Sequence, residues 1–348
     1  MTRGPALAMV VVALAATLAA CTTGPTTSSD SASQAAASVS QADMGAFPVT
    51  IEHAYGATTI ESEPTRVVAL GWSDPDVVLA LGVVPVGASK TSWGGTPNGS
   101  TVWFDEKLAT MDGAQPPTRV DDTSSGIAGA LTDIATLNPD LVLATNSGMT
   151  QDEYDKLTAL GVPVVAYPGE AWMTSWRDSL DLVGRALGRN ALADEVQTQV
   201  EQTLTDAQAE HPDLVGTSVF VSWVDPTDAS SIGVYGDNRA TVLTEVGMIE
   251  PAWVEEITQG AAYGTISAER ASTLDADLAL MTAESQAEAD AIEADPLVTQ
   301  IPAVAAGTVW WDLPDHSTAY ALDVATPLSL PYMVDHLLPE LDEVVASR

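Results

Sequence analysis

The chain has 348 residues, 46% of them hydrophobic, with 21 Pro, 25 Gly and one Cys, enough for sizeable cores and more than one domain. A single Cys excludes an intrachain disulfide and any Cys-rich metal cluster. Forty-eight acids against twelve bases give a net charge of −36, a surface that repels phosphate backbones and argues against nucleic-acid binding.

Arg3 opens the chain with a positive charge, and Ala6 to Leu18 follow as an apolar Ala/Val-rich run. The run is shorter than the roughly 20 residues that span a bilayer, so residues 1–20 read as an export signal closed by small residues. Leu18-Ala19-Ala20-Cys21 resembles a bacterial lipobox, which implies cleavage before Cys21 and acylation of its thiol. An ordinary signal with an incidental Cys is the bland alternative. Residues 22–46 are dominated by Thr, Ser, Ala and Gln and read, with the lipidated Cys21, as a flexible tether over 21–46.

From Phe47 the texture changes. Val49-Thr50-Ile51 and Thr58-Thr59-Ile60 flank Tyr55-Gly56 as a hairpin, and Arg66 to Leu70 read as a buried strand. A helix over Asp76–Leu81 ends at Gly82, and Val83–Val86 resume strand character. Leu131–Leu137 is a helix feeding the strand Leu141–Leu143 across Asn138-Pro139-Asp140. Another helix (Tyr154–Leu160) and strand (Val162–Tyr167) follow, and this alternation predicts parallel α/β layers. Ser175 and Asp178 resemble a capping box for a helix carrying Trp176, Leu180, Val183 and Leu187 on one face. A second helix over 191–210, free of Gly and Pro, would span ~30 Å as a stiff strut. The pattern then restarts with strands at Ser218–Trp223, Leu278–Met281 and Thr308–Trp311 and a helix at Ala240–Val246. Leu137-Asn138-Pro139-Asp140-Leu141 is echoed by Leu274-Asp275-Ala276-Asp277-Leu278 at an offset of 137 residues, which suggests two lobes of similar construction.

Catalytic signatures fail. Gly71-Trp72-Ser73-Asp74-Pro75 begins like a nucleophile elbow, but Pro75 replaces the second Gly. No H-E-x-x-H, P-loop or dinucleotide glycine pattern occurs, and His53, His211, His316 and His336 are scattered without ligand spacing. What remains is aromatic: nine Trp against three Phe, with Trp72, Trp93, Trp103 and Trp253 where strands end or loops begin. Such loops are the ligand-facing edge of open α/β layers, and an indole offers a broad apolar wall with one donor. Each Trp could equally plug its own lobe, and Trp176 on an apolar helix face reads as structural.

Several segments resemble the iron-siderophore substrate-binding proteins of ABC importers: Pro64–Leu70, Leu79–Gly87, Leu137–Val142, Tyr263-Gly264 with Ile266–Glu269, and Pro327–Pro331. The resemblance implies a class III fold, two Rossmann-like α/β lobes joined by a long rigid helix. It places an N-terminal lobe at 47–172, a helical connector at 173–212 and a C-terminal lobe at 213–348. By the same resemblance, ligand contacts fall on Trp72, Trp93, Tyr235, Arg239, Trp253, Tyr263 and Tyr320, in the manner of ferric hydroxamate binders. Permease docking falls on Glu269, and on Asp133 beside Thr132 in the other lobe.

The reading is capture without chemistry: a monomer, lipid-anchored outside the bacterial cell membrane, takes a ferric siderophore between its lobes and delivers it to an ABC permease with its ATPase. Iron arrives held by the siderophore, so no cofactor, protein metal ligand or catalytic residue is expected. The same scaffold carrying cobalamin, haem or a metal ion is the first alternative; a cell-surface hydrolase is the second.

Overall fold

Val49–His53 (β1) and Gly56–Ile60 (β2) pair antiparallel in the expected hairpin, with Ile51, His53, Thr58 and Ile60 buried and the intervening residues exposed. The computed structural model describes residues 41–122, 126–225 and 230–347; the export signal, Cys21 and most of the tether lie outside the described residues. Residues 42–46 depart from the tether reading, because Asp43 is fastened to the body. Its N–H donates to Gly188 O (2.7 Å), and its carboxylate accepts from Ala191 N (3.1 Å), capping a helix whose own N-cap, Arg189, supplies no side chain.

Five short strands, Val67–Ala69 (β3), Gly87–Ser89 (β4), Thr118–Val120 (β5), Leu141–Ala144 (β6) and Val164–Ala166 (β7), form a parallel sheet in the order β5-β4-β3-β6-β7. The strand expected at Val83–Val86 begins instead at Gly87, since Pro85 has no N–H to give the ladder. The helix Val102–Ala109 and strand β5 carried no clear periodic signal.

Beyond the connector, Val219–Val224 (β8), Ser231–Tyr235 (β9), Tyr263–Ser267 (β10), Leu278–Thr282 (β11) and Val309–Asp312 (β12) form a second sheet, ordered β10-β9-β8-β11-β12. Here the all-parallel expectation gives way. Strand β9 runs antiparallel to both β8 and β10, because the link from Val224 to Ser231 is too short for a crossover to a parallel neighbour. Together the sheets give the two-domain α/β fold of class III.

The sequence echo has a physical counterpart. Asp140 Oδ2 accepts Thr65 N and Oγ1 and Oδ1 accepts Arg66 N (2.8 Å each), tying the entry of β6 to that of β3. In the other lobe Asp277 Oδ2 accepts Ser218 N (2.9 Å) and Ser218 Oγ (2.6 Å), tying β11 to β8. Each lobe uses one aspartate to set the register of its two central strands.

Each sheet has one private core. Val68, Leu70, Ile134 and Leu157 fill the first, and Phe220, Ile232, Val234 and Ile292 the second. The opposite faces share a third core, packed by the connector helices Trp176–Leu187 and Asn190–Glu210 and the C-terminal helix Ser329–Ala346. The strut is thus part of a continuous hydrophobic spine beneath both lobes.

Two buried carboxylates follow β3, one tying two loops of the first lobe together and the other crossing to the second lobe. After Gly71-Trp72-Ser73, Asp74 Oδ2 accepts Thr145 N (2.8 Å) and Oδ1 accepts Thr145 Oγ1 (2.7 Å). Asp76 Oδ2 accepts Trp103 Nε1 (2.5 Å) and, from the other lobe, Thr326 Oγ1 (2.8 Å). Burial outweighs these hydrogen bonds, pushing Asp74 up to about 7 and Asp76 to about 6, both from 3.8. A carboxyl with a raised folded pKa binds its proton more tightly in the native state. Its stabilising effect is therefore full below pH ~4 and lost as pH rises through 6–7. Thermal midpoints should rise by several degrees between pH 7.5 and 5, and Asp74→Asn should flatten that slope; an unchanged slope in scanning calorimetry would refute this account of Asp74.

Candidate ligand-binding cleft

The parallel strands of the first lobe deliver their following loops to one side. Trp72 follows β3, Lys90 to Trp93 follow β4, Asn146 follows β6 and Trp172 lies beyond β7, while Arg119 sits on β5. From the second lobe the sheet presents a face. Alternation and the register Trp223↔Gly233 and Tyr263↔Tyr235 put Trp223, Tyr235 and Tyr263 on the same side. Tyr320 and Asp323 join from the helix Ser317–Val324.

Three connected spaces result. The central one, about 420 Å³, is walled by Trp72, Trp172, Trp223, Tyr235, Arg239 and Tyr263. A narrower space of about 190 Å³ runs toward Lys90, Trp93, Arg119 and Tyr320. A third, about 410 Å³, extends past Trp223 and Tyr235 into the second lobe. Trp72, Trp172 and Tyr263 stand 37%, 39% and 61% exposed, unusual for such large rings.

Close approach of backbone to indole builds these walls. Trp72 and Trp172 meet at 4.9 Å between centroids, and Trp172 lies on Gly148, where a Cβ would come within 2.5 Å of the ring. Trp172 itself holds φ +66°, a strained left-handed conformation for an aromatic residue. Trp223 lies across its strand partner Gly233, where a Cβ would fall 2.1 Å from the indole. It meets Tyr235 at 4.6 Å and Tyr263 at 5.7 Å.

The second-lobe charges inside the cleft gather around one arginine. Arg239, 5% exposed, stacks 3.7 Å over Tyr235, contacts Asp323 through Nε, and lies 3.5 Å from Asp237 through Nη1. Burial opposes its charge, but Asp323 and Asp237 together hold its pKa above the ordinary value. Burial pushes Asp323 up to about 7 although Arg239 pulls the other way. Asp237 caps the helix Asn238–Glu245 through Arg239 N (3.1 Å), which aims Arg239 into the cleft. In the first lobe Arg119 Nη1 donates to Ser89 O (3.3 Å), Nη2 to Ser100 Oγ, and its guanidinium covers Phe104 at 4.7 Å.

Of the residues expected from sequence, Trp72, Trp93, Tyr235, Arg239, Tyr263 and Tyr320 line these spaces. Trp253 does not. It starts the helix Trp253–Thr258 on the far face of the second sheet, edge-on to Phe220 (5.0 Å) with Nε1 donating to Asp275 O (3.0 Å). Trp103 likewise is buried, held by Asp76. Lys90, Arg119, Trp172, Trp223 and Asp323 are cleft residues that sequence reasoning missed. A mid-strand glycine such as Gly233 signals that something lies across it, and any base is conspicuous in a chain with twelve.

The residues expected to dock a permease sit apart from the cleft: Glu269 is exposed at the start of the 3₁₀ turn Ala268–Thr273, and Asp133 is exposed on the helix Gly126–Thr136. Ser73, of the failed elbow, is buried, with Oγ 3.0 Å from Ser179 Oγ. Among the described residues no cluster of three or more His, Cys, Asp or Glu is arranged to hold a metal ion. No described helix is long and apolar enough to cross a membrane.

Two α/β lobes over a shared spine, with an aromatic cleft between them, define a solute-binding protein. Residues 67–312 match the periplasmic binding protein family model, and the chain belongs to that family. It is 30% identical over 173 residues to the probable siderophore-binding lipoprotein YfiY of Bacillus subtilis (strain 168), covering 49% of this chain and about half (48%) of that relative. To the Fe(3+)-citrate-binding protein YfmC of the same organism it is 24% identical over 258 residues, 73% of this chain and 75% of that one. The crystal structure of PiaA from Streptococcus pneumoniae TIGR4 in complex with ferrichrome superposes with a TM-score of 0.78 at 30% identity, covering 86% of this chain and 99% of that one.

Gly233→Ala should force Trp223 from its bed, costing about 1–3 kcal/mol in urea denaturation and altering the near-UV circular dichroism. An unperturbed spectrum would show that the indole is not held by this contact.

Proposed function

We propose that the protein captures a ferric siderophore, of hydroxamate type, in this cleft and hands it to an ABC permease from a lipid anchor at Cys21. The observation that carries the reading is the cleft's combination of rings with a lining in which acids outnumber bases. Trp72, Trp172, Trp223, Tyr235 and Tyr263 surround a space suited to a bulky, partly polar chelate. Lys90, Arg119 and Arg239 supply donors for clustered ligand oxygens, yet the three spaces together are lined by three bases and six acids. That lining offers no net positive field for a polyanionic catecholate or citrate complex, and it suits a neutral or cationic hydroxamate. The ferrichrome complex of a relative 30% identical supports the same class. Against a hydrolase, Ser73 is buried among hydroxyls rather than beside a base. Against a bare metal ion, the cleft supplies indoles where a metal would require ligands.

Titration of the intrinsic tryptophan fluorescence should show saturable quenching by ferric trihydroxamates and affinity lower by about tenfold or more for ferric citrate and ferric tris-catecholates. Trp72→Ala should weaken hydroxamate binding by about tenfold. Tighter binding of the catecholate, or no quenching by any chelate, would overturn the reading.

Delivery is assigned to Glu269 and Asp133, exposed acids on separate lobes that would meet permease cations. Charge reversal at both (Glu269→Lys with Asp133→Lys) should abolish siderophore-dependent uptake in cells while leaving the fluorescence titration unchanged. Uptake at the unaltered rate would remove these residues from the docking role.

A further inference from the structure

The hairpin β1–β2 stands outside both five-stranded sheets, and none of its residues lines the three spaces of the cleft. It is nevertheless fastened to the edge strand β7: Ala54 N donates to Tyr167 O (2.8 Å) and Thr58 Oγ1 to Val164 O (2.6 Å). From the turn of the hairpin, Tyr55 reaches the loop that follows β6, where its hydroxyl donates to Met149 O. Tyr167, directly after β7, sends its own hydroxyl to the same carbonyl (3.2 Å), and the two hydroxyls lie 2.7 Å apart. The Tyr55 ring meets Tyr167 at 5.7 Å and Tyr154 at 5.2 Å. Burial, and then the bond to Tyr167, raise the pKa of the Tyr55 phenol, so it stays a donor through the physiological range.

Met149 ends the loop that seats two of the exposed indoles. Trp72 N donates to Asn146 O (3.1 Å), Trp172 N donates to Ser147 O (3.2 Å), and the Trp172 ring lies on Gly148. Asp74 holds the entry of this loop through Thr145, and Ser147 Oγ braces it from within, donating to Ala144 O (2.9 Å) and accepting Met149 N (3.2 Å). The two phenols hold its exit. Met149 is 1% exposed, so removal of both donors would leave a backbone carbonyl unpaired in the interior.

We propose that Tyr55 and Tyr167 are positioning residues for the cleft: their hydroxyls, brought together by the hairpin, hold the loop 146–149 where it keeps Trp72 and Trp172 facing the ligand. The inference rests on the ferric hydroxamate reading above and gives that site a support outside its own walls.

Two hydroxyl protons serve three oxygens here, so either phenol alone can still donate to Met149 O, and the effects of removing them are non-additive. Tyr55→Phe and Tyr167→Phe, which keep both rings, should each change the affinity for a ferric trihydroxamate by about twofold or less. The double variant, its folding checked by thermal midpoint, should lose about tenfold and show altered indole bands in near-UV circular dichroism. Thr58→Val unfastens the same hairpin from Val164 O but leaves both phenols, so its midpoint should fall while its affinity and indole bands stay those of the wild type. A double variant that binds within twofold of the wild type, or an equal loss in Thr58→Val, overturns the positioning role. Hydrogen exchange in the two single variants carries the test even where the double variant fails to fold: amides 146–149 should exchange about threefold faster than in the wild type, and unchanged exchange overturns the proposal. If the wild type binds no chelate, hydroxamate capture falls by itself, while the indole bands and the exchange rates still decide whether the phenols hold the loop.

Discussion

The arrangement depends first on carboxylates buried where the chain leaves β3, the first strand of the parallel sheet. Asp74 and Asp76 stand one and three residues beyond Ser73, at the start of the helix Asp74–Ala80, where backbone donors and the helix dipole favour an acid. Asp74 reaches across to Thr145 and so locks the loop after β3 to the loop after β6. Trp72 N donates to Asn146 O (3.1 Å) within that lock, which sets the indole at the mouth of the cleft. Asp76 reaches further, to Thr326 of the other lobe. One turn of helix therefore places a cleft wall and joins the lobes.

That constraint explains why part of the seam is closed and part is open. Beside Asp76 the rings interleave: Trp93 stacks on His316 (4.9 Å) and touches Tyr320 (5.9 Å), while Trp103 lies between Tyr320 (6.0 Å) and Tyr332 (5.2 Å). Gly94 permits this, because a Cβ there would sit 2.4 Å from Tyr320. On the other side Trp72, Trp172, Trp223 and Tyr263 have no such partners across the gap, and the space between them remains. The same residue type interleaves on one side of the seam, beside the narrower space, and stands apart on the other, around the wider one.

Much of the architecture could be read from sequence because the strands are short, apolar and punctuated. The echo at Asp140 and Asp277 was legible since both aspartates perform the same register-setting bond, a local requirement that local sequence records. The antiparallel edge was less legible: β9 and β10 carry Gly233 and Gly264, which weaken strand signals, and the link's shortness matters only once β9 is recognised. Trp253 was misplaced because a tryptophan after a turn looks alike on either face of a sheet. Trp223 and Trp172 were missed because their surroundings, Gly233 and Gly148, lie 10 and 24 residues away and become meaningful only as beds for indoles.

The shared spine bears on how the cleft can work. Val67, Ala69, Leu141 and Leu143 of the first sheet and Val219, Leu278 and Leu280 of the second belong to one buried cluster with the helices between them. Separating the lobes widely would expose that cluster, and each fully buried Leu or Val contributes about 1.5–3 kcal/mol to keeping it closed. Arg177 adds a link outside the core, bridging Glu201 on the connector (2.7 Å) and Glu245 of the second lobe (2.6 Å). Wide hinge closure of the kind that a flexible crossover permits is therefore opposed by the protein's own packing. The rings at the mouth are seated on the same frame: Trp172 lies on Gly148 and against Trp72, and Tyr263 meets Trp223. The walls of the cleft and the charges between them are thus positioned by packing that both lobes share.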